Sequence, residues 1–350
     1  GGNGSASYPY RIANKEQFSN IRYNLEAYFI LVNDIEFNQS DFSVGGIFFN
    51  DGNGWASIGN SQEPFFGMLD GNNYSISGIV LNLGAYGEKD RGIFGVNNGF
   101  IKKIEIKDIH ITSDSEYGYN GCLVGENRGI IEKCNYSGES ESSNNIGGIA
   151  GTNKNSGLIK DCYSFGNFKC KTSMRIIGGI ASVNYGKIIG CYNLGTLLAE
   201  NDYIAIGGIV GENYGEIIKC YNAGRISGQD VGGIAGINER RISECYNLGI
   251  VTGKNNIGGI TGQNSGTVEV CYNKGEIIGN ENIVNLGGIT GYNHNIIDNC
   301  YNIGTINANN GGGLVGVNDR SINNSYNIGN VANSSFSGGI AQKNNGKIVD

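Results

Sequence analysis

GGIVGENYGEIIKCYNAGRIS (207–227) is followed almost at once by GGIAGINERRISECYNLGIVT (232–252), and laying one over the other decides the fold. Both run Gly-Gly-Ile, Gly-x-Asn, a short turn, an apolar residue, Cys-Tyr-Asn-x-Gly and a further apolar residue. The opening returns as GGIAGTN (147–153), GGIASVN (178–184), GGITGQN (258–264), GGITGYN (287–293), GGLVGVN (312–318) and GGIAQKN (338–344). GCLVGEN (121–127) and RGIFGVN (91–97) are degenerate copies. Cys134, Cys162, Cys191, Cys220, Cys245, Cys271 and Cys300 mark the period, with gaps of 28, 29, 29, 25, 26 and 29 residues, and Ser325 stands 25 residues further on. Self-similarity at this period means stacked units, each unable to bury its own apolar face.

Each unit holds three apolar segments of three to five residues, too short for helices and without a 3.6-residue period. The expected fold is all-β: a right-handed parallel β-helix of ~25–30-residue, three-strand coils with an N-terminal helical and irregular cap. Coils ~4.8 Å apart place equivalent side chains in rows. Gly and Asn are expected to supply the left-handed corners. Residues 1–90 read as the cap and irregular first coils, with a capping-box helix start at Asn14–Gln17 before Phe18 and Ile21. Residues 91–350 read as the repeats. GGIAQKNNGKIVD (338–350) opens a repeat and stops short of its Cys-Tyr-Asn, so the reading expects further sequence beyond Asp350. Longer segments at 196–206 and 276–286 put extra length at one corner.

Of 350 residues, 60 are Gly and only 2 are Pro, without the strict triplet of collagen. Charged residues are 16% with a net charge of −7 and no basic run, which argues against nucleic acid as a partner. No stretch approaches the ~20 apolar residues of a membrane span. No secretory leader opens the chain, and Gly1-Gly2 reads as a processing remnant.

The cysteines stand singly, without the paired spacing of a metal site, and parallel stacked side chains suit disulfides poorly. A structural thiol ladder in an inward slot is expected, with Cys122 and Cys170 outside it as the more exposed or pairing thiols. Tyr163, Tyr192, Tyr221, Tyr246, Tyr272, Tyr301 and Tyr326 each follow the Cys or Ser325 and should point outward. They form the candidate ligand-contact stripe; the competing reading is a self-stacking ladder. The Asn193, Asn222, Asn247, Asn273, Asn302 and Asn327 row, and the Asn153 to Asn344 row, read as turn-capping amide ladders. Asp34, Asp41, Asp51 and Asp70 could form an acid pair or a calcium loop, but no complete pattern for either is present. His110 should face solvent. No catalytic, cofactor or metal site is expected.

The repeats resemble the bacterial GLUG-motif repeats, on GLVG (313–316) and its GGIxG variants. YPYRIANKEQFSNI, YFILVNDI, GWASIGN (54–60) and FxGxLDGN are similar to the leader that precedes such repeats. The resemblance covers nearly the whole chain. It implies a large secreted or surface-anchored, adhesin-like protein. Together with the periodicity and the missing catalytic constellations, the expected function is a non-catalytic extracellular or cell-surface scaffold adhering to a host protein or glycan. It also implies an alternative, an accessory exosite region of a secreted metallopeptidase such as an IgA1 protease. His-Glu-x-x-His is absent, with His110 and His294 the only histidines, so peptidase chemistry would reside elsewhere. A polysaccharide-cleaving β-helix enzyme is a third alternative.

Overall fold

A computed structural model describes residues 1–83, 90–113, 118–142, 145–170, 176–199, 205–279, 285–332 and 336–349. It is an all-β parallel solenoid. One coil runs through Ala205–Gly207, Val210–Asn213, Glu216–Ile218, Tyr221–Asn222 and Ile226–Ser227. Each strand pairs in parallel with its equivalent one coil on: Ala205 with Asp230, Val210 with Ala235, Glu216 with Arg241, Tyr221 with Tyr246, Ile226 with Val251. The three apolar segments of the sequence are all present. Two of them are folded in the middle, one at Gly-Gly-Ile and one just before Cys, so five ladders of short strands wrap the core.

The first fold needs glycine for space, not for its backbone freedom. A Cβ on Gly207 would lie 1.9 Å from the Val210 carbonyl oxygen and 2.6 Å from Ala235 Cα; on Gly208 it would lie 2.2 Å from the Gly233 oxygen. The second fold is the left-handed corner, and here the sequence expectation is corrected. Gly190, Asn299 and Asn324 fit the expectation of Gly or Asn, but Lys133, Asp161, Lys219, Glu244 and Val270 carry positive φ there as well. In-register bonds to the next coil, such as Lys219 N–H to the Ser243 carbonyl at 3.1 Å, hold the corner whatever residue fills it.

Inside, Ile131, Ile159, Ile188, Ile217, Ile242, Val268, Ile297 and Ile322 form one fully buried column. Ile149, Ile180, Ile209, Ile234, Ile260, Ile289 and Leu314 form a second, and Phe168, Leu197, Ile226, Val251, Ile277 and Ile306 a third. Each such side chain contributes about 1.5–3 kcal/mol by leaving water, and only the neighbouring coils provide its cover.

The first residues continue the same sheets. Tyr10–Ile12, Tyr28–Leu31 and Met68–Asp70 begin the 13-stranded sheet that ends at Lys347–Val349. The single α-helix among the described residues is Lys15–Ser19. It starts where the Asn14 side chain accepts from Gln17 N–H at 2.9 Å and Gln17 Oε1 accepts from Ala13 N–H at 2.8 Å. Phe18 stacks on Trp55 at 5.6 Å and meets Phe94 edge-on at 6.4 Å, closing the aromatic N-terminal end of the core. The inserted residues 200–204 and 280–284 lie outside the described residues. No helix of the described residues is long and apolar enough to cross a membrane.

Candidate functional site

Buried rows of polar side chains set which faces remain for ligands. Asn97, Asn127, Asn153, Asn184, Asn213, Asn238, Asn264, Asn293, Asn318 and Asn344 make one amide ladder. Each Nδ2 donates to the next Oδ1, at 2.8 Å in the Asn213–Asn238 step. Asn193, Asn222, Asn247, Asn273, Asn302 and Asn327 make a second ladder with the same polarity. Asn222 shows why Asn is required. Its Oδ1 accepts from Asn193 Nδ2 at 2.8 Å and Gly224 N–H at 3.2 Å, while its Nδ2 donates to Asn247 Oδ1 at 2.8 Å and the Gly224 carbonyl at 3.0 Å. A fully buried amide thus meets all of its main hydrogen-bonding capacity.

Cys134, Cys162, Cys191, Cys220, Cys245, Cys271 and Cys300 are free thiols, buried in a single row. Cys220 Sγ accepts from Cys191 N–H at 3.3 Å and donates to the Ile218 carbonyl at 3.3 Å. Ser325 repeats this, its Oγ accepting from Cys300 N–H at 3.0 Å and donating to the Asn323 carbonyl at 2.6 Å. Burial holds the thiols of Cys134, Cys191, Cys245 and Cys300 well above the usual thiol range. Cys122 is corrected from exposed to fully buried. It fills the place of the second Gly of the pair, and burial raises its thiol pKa, with Tyr136 beside it opposing. The side chain of Cys170 lies outside the described residues.

On the outside, Tyr163, Tyr192, Tyr221, Tyr246, Tyr272, Tyr301 and Tyr326 stack in one column. Ring centroids are 4.9, 4.8, 5.0, 4.9, 5.0 and 5.3 Å apart, with interplanar angles of 10° or less. Their faces therefore cover one another, and the column presents ring edges and hydroxyls. The Tyr163 hydroxyl accepts from Asn135 Nδ2 at 2.7 Å. Those of Tyr192 through Tyr326 have no hydrogen-bond partner among the described residues. Burial, then the neighbouring tyrosines, pushes the Tyr192, Tyr221 and Tyr272 phenols up, so they stay protonated at neutral pH.

A second outward column, unassigned in the sequence reading, lies beside it. It consists of the residue after Cys-Tyr-Asn: Phe165, Leu194, Ala223, Leu248, Lys274, Ile303 and Ile328, all exposed. The signal was present in the apolar bias of that position, but changing residue identity hid it. Strand pairing keeps the column in register, as in Leu248 N–H to the Asn222 carbonyl at 2.7 Å.

The early carboxylates do not converge on a shared site. Asp34 accepts from Ser75 N–H at 2.7 Å and Ser75 Oγ at 2.9 Å, bonds that lower its pKa. Asp41 pairs with Lys15 at 2.5 Å, and Asp70 with Lys102 at 3.2 Å. Asp51 sits in a 3₁₀ turn at φ 51°. Among the described residues, no three His, Cys, Asp or Glu side chains are placed to hold a metal ion. His110 is exposed and lines a shallow hollow with Phe37, Phe42 and Val80.

No family model matches the chain. It is 33% identical over 138 residues to a "Putative Gly-rich membrane protein" of Evansella cellulosilytica, covering 38% of this chain and 15% of the relative. It is 29% identical over 161 residues to Halomucin of Haloquadratum walsbyi, covering 43% of this chain and 2% of the relative. The chain thus spans a small part of the curated relatives it matches. Its fold is similar to that of a "putative immunoglobulin A1 protease" from Bacteroides ovatus, with a TM-score of 0.50 and 20% identity over 100% of this chain and 86% of the other. At that identity the likeness is one of fold.

Proposed function

We propose that this chain is a non-catalytic, extracellular β-solenoid scaffold of a bacterial surface or secreted protein, adhering to a host protein or glycan. The carrying observation is the outward pair of columns, tyrosine edges beside exposed apolar side chains, held in register by buried amide and thiol rows. A solenoid side of this kind offers a long contact face instead of an enclosed cleft. The extracellular placement draws support from the names of the proteins it resembles, Halomucin and an immunoglobulin A1 protease. The test is a glycan array together with a panel of host surface proteins, probed with this chain and with a Leu248→Asp/Ile303→Asp variant of unchanged melting temperature. Selective binding lost in the variant is the expected result. Binding that the variant leaves intact removes the face from the proposal.

The fold is also compatible with an accessory role beside a peptidase unit. Capture of immunoglobulin A1 by the isolated chain, with no cleavage, would favour that reading.

A further inference from the structure

Deepening the scaffold reading, and resting on it, we propose that the double column binds an uncharged, extended β-1,4-linked polysaccharide laid along the solenoid axis, one sugar per coil. Four observations converge on this ligand class. The first is the period. Tyrosine centroids repeat every 4.8–5.3 Å, and an extended β-1,4-linked chain advances by close to one coil per sugar. A peptide strand advances ~3.3 Å per residue and a polyproline helix ~3.1 Å, so either drifts out of step within two coils.

The second observation is width. The two columns are two residues apart along extended chain, roughly 7 Å, which matches the breadth of one sugar ring. Along a column of about 30 Å, this leaves a few hundred Å², well below the ~800 Å² per partner that a stable protein interface needs. Area therefore argues against a folded protein or a second copy as the occupant.

The third is chemistry. Unpartnered phenol hydroxyls from Tyr192 to Tyr326 both donate and accept, as sugar hydroxyls require. Leu194, Leu248, Ile303 and Ile328 offer apolar contact to the C–H faces of the rings. In a β-1,4-linked hexose chain the C2 and C3 substituents line one edge of each unit and the ring oxygen and C6 hydroxyl line the other, so the half-turn between successive sugars still leaves each tyrosine hydroxyl a polar partner. The fourth is charge. Lys274 is the one charged side chain in the two columns, which favours a neutral polymer over a uronate.

The test is calorimetric titration of this chain with cello- and chito-oligosaccharides of increasing length. Amylo-oligosaccharides and oligogalacturonates serve as the α-linked and charged arms. Affinity should climb with each added sugar up to about seven, the number of stacked tyrosines, and then level off. Comparing the cello and chito series identifies which β-1,4 polymer is preferred. Tyr221→Phe/Tyr246→Phe/Tyr272→Phe keeps the ring stack, so its melting temperature should be unchanged, yet binding of the longest oligomer should weaken about tenfold or more. A plateau at two or three sugars, preference for the α-linked or charged arm, no sugar binding at all, or an undiminished Phe variant overturns the proposal. Capture of a host protein in place of sugar, lost in Leu248→Asp/Ile303→Asp, would refute it and leave the scaffold reading standing. Cleavage of any oligosaccharide would overturn both.

Discussion

Replacing Asn222 tests how much the amide ladders hold together. The side chain is fully buried and makes four hydrogen bonds, to Asn193, Asn247 and both backbone groups of Gly224. Asn222→Ala removes all four; the Gly224 N–H and carbonyl lose this partner, while Asn193 Nδ2 keeps its bond to the Gly195 carbonyl and Asn247 Oδ1 its bond from Gly249 N–H, for a loss of about 3–6 kcal/mol. Asn222→Asp keeps the shape and the two accepted bonds, but sets a second oxygen against the Gly224 carbonyl and Asn247 Oδ1. Burial without a donor raises the folded pKa of such a carboxyl above its unfolded value of ~3.9. The ionisation penalty is absent below the unfolded pKa, grows as pH rises toward the folded pKa, and is then constant. Urea melts followed by circular dichroism at pH 3.5 and pH 7.5 should therefore show the Asp variant close to the parent at the lower pH and strongly destabilised at the higher. Because each coil leans only on its neighbours, the Ala variant should also split one transition into two, one for each side of the defect. A single transition shifted by less than ~1 kcal/mol in Asn222→Ala would refute the claim that the ladder couples the coils.

Other positions discriminate further. Cys220→Ser should be nearly neutral, since Ser325 makes the same two bonds, whereas Cys220→Ala leaves Cys191 N–H without its acceptor and should cost about 1–3 kcal/mol in the same melts. The seven thiols of the row and Cys122 should resist an aromatic disulfide reagent until urea unfolds the chain; rapid labelling of native Cys170→Ser protein would contradict the burial of the row. Val270→Gly relieves a β-branched residue at φ 52° whose side chain is 55% exposed, and should stabilise by about 0.5–1 kcal/mol after the added freedom of the unfolded chain is subtracted. Burial raises the Glu212 carboxyl, with the Tyr214 hydroxyl opposing and Glu239 adding to it, so its contribution falls as pH rises through the folded pKa. Glu212→Gln should then be more stable than the parent at pH 7 and equal to it near pH 3; equal stability at both would place the carboxylate in water.

Period and strand class were legible in the sequence because a repeat multiplies a weak local signal many times over. The Asn positions were legible as capping residues for the same reason. What the residues concealed was geometry that no single letter carries. The left-handed corner is filled by Lys219, Glu244 and Val270, poor choices by intrinsic preference, because pairing on both sides outweighs a local cost of 1–2 kcal/mol. Glycine in the Gly-Gly pair marked a close approach and not a backbone angle. The outward direction of the tyrosines followed from alternation with Cys. That their faces are occupied follows only once coil spacing is seen to equal a ring-stacking distance. Cys122 misled because it sits off the cysteine period; it replaces a glycine where Tyr136 replaces the ladder residue, two larger side chains buried side by side in the same coil.

The strictly nearest-neighbour bonding of the coils has a mechanical consequence. Tension between the ends of the chain need not break the body as a whole; it can draw off one turn while the next remains intact. A turn of ~25 residues straightened at ~3.4 Å each yields about 85 Å of slack. A tether built this way would lengthen in repeated, nearly equal increments and absorb work at each one, keeping whatever it grips attached through a surge of flow.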